Sequence, residues 1–268
     1  MRANRLPAAF ALTVLAMAGT AACGSEDRSG PAAENGLAGL SGAEVVARTQ
    51  AAGAGATSVR MTLRGDSADG SETATVSAAR NGDCTDEVAG GNPIEDGYNR
   101  QLRQTHVLRK DGRTFFKAGG LRGPGGPADQ WMSTSSKEAD QLATYCDLAL
   151  GMPDELNTLT GGARSGQWVR DGSTRIGGVP AVVLHFTTED AVDELALDTG
   201  PAGSSELRIA VAAEGEPQLL RVELASGSNR LTVRLRDHGA PVTVTPPPAD
   251  QVHDFDAQLP VGEELSEG

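Results

Sequence analysis

The chain has 268 residues, with 23 Lys and Arg against 36 Asp and Glu and a formal net charge of −13. That balance argues against a nucleic-acid partner, because phosphate binding is carried by a basic surface. Hydrophobic residues make up 38% but aromatic ones only 3%, so a single domain of ordinary size must build its core from Val, Leu and Ala.

The first predicted element is a leader. Met1 to Arg5 carry two positive charges, and Leu6 to Ala18 is apolar apart from Pro7 and Thr13. This is the pattern of a secretory signal over residues 1–22, too short for a permanent membrane helix. Its removal leaves about 245 residues and lowers the net charge to −15. Gly19, Thr20, Ala21 and Ala22 lead directly into Cys23. The stretch resembles the lipobox of bacterial lipoproteins, in which the cysteine is diacylated and becomes the new N-terminus. The resemblance implies a lipid anchor at Cys23 and a place on the outer face of the cell membrane. The alternative is an ordinary cut near Ala22 that leaves a free thiol. Residues 24–40 are Gly, Ser, Ala, Pro, Asp and Glu with little apolar material, a tether reaching roughly 20 to 25 Å as a coil.

Ser41 with Glu44 three residues later predicts a capping box opening an Ala-rich helix to about Ala52, stopped by Gly53 and Gly55. The period then changes to two. Val59, Met61 and Leu63 alternate with Arg60, Thr62 and Arg64, and residues 72–79 follow as a second strand. Asp111-Gly112 between HVLRK and RTFFK predicts a hairpin, with a short strand at QWMST. Helical spacing returns in Leu142, Tyr145, Cys146 and Ala149, giving a helix at about 137–150 and another from Pro153. Five further β-patterned runs end at NRLTVRLRD, followed by a short segment to Phe255 and an acidic tail over 256–268. The expected domain, 41–255, is α+β, with about ten or eleven strands and three helices. A sheet with one apolar face must cover it, and a strongly curved antiparallel sheet with the helices in its concave face does so.

If Cys23 carries lipid, Cys84 and Cys146 remain as a pair for an oxidising compartment. A bridge would close a loop of about 62 residues, worth on the order of 4 kcal/mol in the chain-entropy model. Two buried free thiols are the alternative. The histidines at 106, 185, 238 and 253 have no metal-ligand spacing, and neither cysteine has a His nearby in sequence. There is no G-x-S-x-G elbow, and GGLRGPGGP at 119–127 lacks the Lys-Ser/Thr of a phosphate loop. No catalytic residue, cofactor or metal site is therefore expected.

The order of elements resembles the actinobacterial LppX/LprG family of lipoproteins over most of the chain from Ser41 to Val252. The features that carry it are the N-terminal helix followed by TSVRMTLRG, FFKAG followed by QWMS, IGGVPAVVLHF, EGEPQLLRVEL, and the closing DHGAPVTVTPPPADQV. Phe115-Phe116 departs from the family in lacking an expected tyrosine, and the pair Cys84 and Cys146 is not a family feature. The resemblance implies a half β-barrel related to the LolA and LolB carriers, with a cavity for the acyl chains of lipids or glycolipids and no catalysis. It also implies a monomer whose partners are a hydrophobic small molecule and, through the anchor, the membrane. A closed-core envelope scaffold with a protein partner is the alternative.

Such a cavity would be lined by inward strand positions and central helices. The candidates are Val59, Met61, Leu63 and Leu108 on the early strands, with Trp131 and Leu142 after them. On the late strands they are Val182, Leu184, Leu220, Val222, Leu231 and Val233. The same residues serve equally as ordinary core. Arg60, Arg64, Arg208, Arg221, Arg234 and Arg236 all fall in strands. They would form either a basic face for anionic headgroups or cross-strand pairs with Glu72, Glu206 and Glu223.

Overall fold

The computed structural model describes residues 35–68, 70–90, 104–119, 130–135, 143–160, 167–188 and 205–255. The leader, Cys23, most of the tether, Leu142 and the acidic tail lie outside the described residues. Twelve strands form one curved, unclosed sheet, with two helices on its inner face.

Two meanders make the sheet. The first contains β1 (Ser58–Ser67), β2 (Gly70–Ala79), β3 (Cys84–Gly90), β4 (Gln104–Lys110), β5 (Arg113–Gly119) and β6 (Trp131–Thr134). The second contains β7 (Trp168–Ile176), β8 (Val179–Thr188), β9 (Ser205–Ala212), β10 (Leu219–Ser226) and β11 (Asn229–Arg236). Every neighbour within a meander is antiparallel. The two meet where β1 pairs with β11, Arg60 opposite Arg236 and Leu63 opposite Val233. Finally β12 (Val252–Asp254) runs parallel to β6 at the far edge. The DG turn is as expected: Asp111 and Gly112 take φ of 51° and 75°, the left-handed geometry that suits a two-residue hairpin.

Helix α1 (Gly42–Gly55) carries the capping box, with Ser41 Oγ accepting from the Glu44 amide and the Glu44 carboxylate accepting from the Ser41 amide at 2.8 Å. The packed body begins earlier than its composition indicates. Leu37 is 2% exposed in the core, and Asn35 Nδ2 donates to the Ala212 carbonyl at 2.7 Å. One leucine with two anchoring polar contacts suffices where the surrounding residues look like linker.

The expected third helix is absent among the described residues. Helix α2 (Thr144–Leu159) runs unbroken through Pro153. Proline removes one amide from the ladder, a cost of about 3 kcal/mol in a free helix. Here its ring packs on Gly53 of α1, so closely that a Cβ at Gly53 would collide with it. Tertiary packing thus outweighs the break. Strand β3 is an addition to the sequence expectation, held by neighbours on both sides. Cys84 in β3 is bonded to Cys146 in α2. No helix among the described residues is long and apolar enough to cross a membrane.

Candidate functional site on the inner face

Alternation along each strand decides which side chains face the helices. Beyond the row of Val59, Ala78 and the bridged Cys84, three further ladder rows run across the inner face of the first meander. The deepest joins Met61, Val76, Asp86, Val107, Phe116 and Met132 in successive pairs. The middle row joins Val233, Leu63, Ala74 and Val88. The outermost joins Leu231, Gly65, Glu72 and Gly90.

Exposure rises across these rows. Met61, Val76 and Val107 are at most 1% exposed, and Ala74 and Val233 of the middle row are as well covered. Leu63 is 6% exposed, and Val88 and Leu231 are only partly buried against the core. A Cβ built on Gly65 meets nothing within 4 Å, so space opens there. Met132, Leu148, Tyr145 and Phe255 are likewise only partly covered. Among the described residues, cover of the inner face is thus thinnest toward the Gly65 end.

A polar group interrupts the deepest row. Asp86 is 1% exposed between Val76 and Val107, and its Oδ1 has no hydrogen-bond partner among the described residues. Burial, and secondarily the charge of Glu72, push its pKa up to about 7. Tyr145 reaches down from α2 and its hydroxyl donates to Glu72 Oε1 at 2.6 Å. Burial first, then that bond, hold the phenol well above its ordinary value.

The sequence candidates divide between the two faces. Val59, Met61, Leu63, Val182, Leu184, Val222 and Val233 join the inner cluster, with Leu231 packed at its margin. Leu108, Trp131 and Leu220 do not point inward. His106 and Leu108 alternate with the inward Val107, and the Trp131 ring stacks on His106 at 5.1 Å, on the outer side. A bulge between Leu219 and Arg221 turns Leu220 outward into a small cluster with Ala181, Ala210 and Ala212. The sequence reading missed Asp86, Glu72 and Tyr145. The one signal was an acid inside the otherwise alternating CTDEVAG.

Three arginines on the outer face pair along their own strands, while Arg60 and Arg208 also reach an aspartate outside theirs, Asp237 at 3.4 Å and Asp171 at 3.9 Å. Arg208 meets Glu206 at 2.7 Å, Arg221 meets Glu223 at 3.4 Å and Arg64 meets Asp66 at 2.9 Å. Residues two apart share a face, so each strand supplies its own counter-ion. Glu72, expected in this set, faces inward instead. A depression of about 270 Å³ on the outer face is lined by Glu206, Arg208, Glu223 and Arg230 and is too polar for an acyl chain. No group of three or more His, Cys, Asp or Glu among the described residues could hold a metal ion.

No family model matches the sequence, and no curated protein matches it. The backbone has solved counterparts. LprF from Mycobacterium bovis matches with a TM-score of 0.51 at 15% identity, over 77% of this chain and 96% of that one. The Mycobacterium tuberculosis lipoprotein LppX matches with a TM-score of 0.46 at 16% identity, over 76% and 99%.

Proposed function

Starting from an LppX/LprG-like fold, we propose that this chain is a non-catalytic binder or carrier of a hydrophobic ligand, anchored outside the cytoplasm through a lipid on Cys23. The observation that carries the reading is the unfilled inner face around Gly65, bordered by the half-buried Leu231 and Val88. A buried sheet face in a soluble domain is ordinarily covered by its own side chains. Here glycine occupies the position where a larger residue would close it, and an acyl chain supplies the missing apolar contact. The leader and the Cys23 junction support attachment, since the acyl groups of a bacterial lipoprotein exceed what stable anchoring needs.

Native mass spectrometry of the chain purified under gentle conditions tests this. The expected result is a bound mass that organic extraction removes, and a fluorescent acyl probe that rebinds. Gly65→Leu puts a side chain into the open space, its Cβ meeting nothing within 4 Å. It should abolish probe binding while changing stability by no more than about 1 kcal/mol. A chain with neither adduct nor probe binding would fit the envelope-scaffold reading instead.

A further inference from the structure

We propose that Asp86, Glu72 and Tyr145 form a polar pole of the ligand site that takes an uncharged, hydroxyl-bearing head group and discriminates against anionic ones. The inference rests on the carrier reading above and specifies the chemistry of its ligand. Asp86 occupies a position where the ladder pattern calls for a hydrophobe, with apolar neighbours on both sides. It is 1% exposed and one of its carboxyl oxygens lacks a partner. A buried acceptor left without a donor carries a desolvation cost that folding does not otherwise recover. A ligand donor recovers it.

The neighbouring groups define that donor. Tyr145 already gives its proton to Glu72, so the strip as a whole offers acceptors. An anionic head group would face the Glu72 carboxylate and the acceptor oxygen of Asp86 at once. Burial favours the neutral form of Asp86, so an ammonium group finds no settled counter-charge at Asp86 itself and only the Glu72 carboxylate, already engaged by Tyr145, at the margin. A hydroxyl needs no counter-charge: the carboxyl group accepts from it in either state and, when protonated, also donates to it. The space over Gly65, which pairs with Glu72, gives the head group its approach.

The test compares three probes of equal chain length, 1-monooleoylglycerol, oleate and oleylamine, against the delipidated full chain by competition with a fluorescent acyl probe. Monooleoylglycerol should bind about tenfold more tightly than oleate. Asp86→Leu should erase that preference, and Glu72→Gln, at the half-buried margin where folding tolerates change, should reduce it. Equal affinity for all three head groups, a preference for oleylamine, or a ranking unmoved by either variant overturns the proposal while leaving the carrier reading intact. Failure of every probe to bind the unaltered chain overturns both.

Discussion

The two meanders share one sheet and differ on its inner face. Over the middle of β8–β11 the inward positions Leu184, Phe186, Leu207, Ile209 and Val222 are aliphatic or aromatic, all at most 3% exposed. Over β2 and β3 the inward positions include Glu72, Ala74 and Asp86, and α2 lays a tyrosine and a disulfide across them. The β8–β11 half is closed by its own side chains. The β2–β3 half combines a glycine row end, a stranded carboxyl group and incomplete cover, which a closed core does not need.

Truncation separates the halves most strongly. Leu184→Ala should cost about 3 to 5 kcal/mol by denaturant unfolding, because a sealed site collapses poorly. Leu148→Ala, on the partly covered side of α2, should cost about 1 kcal/mol or less, and equal losses would erase the distinction. Replacing both Cys84 and Cys146 by Ser should cost on the order of 4 kcal/mol, since the closed loop spans 62 residues. The same loss should follow addition of a reductant to the unaltered chain.

A pH profile compared between the unaltered chain and an Asp86 variant isolates the β2–β3 half. Asp86 holds its proton more tightly folded, at about 7, than the 3.8 of an exposed aspartate. Between those values unfolding releases a proton, so this group's contribution to stability is complete below about pH 4. It falls as pH rises to 7 and levels off above, by up to about 4 kcal/mol. Asp86→Asn should remove the slope, and a profile parallel to that of the unaltered chain would assign the slope elsewhere. The smallest effect belongs to the outer face. Charge reversal at Arg234 and Arg236 together should leave association with anionic liposomes unchanged and stability within about 0.5 kcal/mol.

The sequence announced the closed half and concealed the open one, for a physical reason. Strict alternation in NRLTVRLRD places each inward residue without ambiguity, the apolar run in VPAVVLHF marks a strand, and both form as expected. In CTDEVAG the inward set is Cys84, Asp86 and Val88, a mixture with no hydrophobic period, and β3 owes its place to pairing with β2 and β4. Pro153 misleads in the same way, because the contact with Gly53 that rescues the helix joins positions far apart in the chain. Of the cavity candidates, alternation sorted the late strands well except at the Leu219–Arg221 bulge, which adds a residue and reverses the face of Leu220. Asp86 escaped attention because a lone acid in a short run reads as solvent-facing until its ladder partners are known.

The junction of β1 with β11 has a consequence for biogenesis. Each meander consists of hairpins between consecutive strands, so each can zip locally, whereas the join unites strands from opposite ends of the domain. Closing so long an interval is the slow step in building a sheet of this connectivity. Both bridging cysteines belong to the part synthesised first. Oxidation can therefore lock α2 onto β3 before the remaining hairpins arrive, so that the disulfide-bearing half matures ahead of the one that completes the wall.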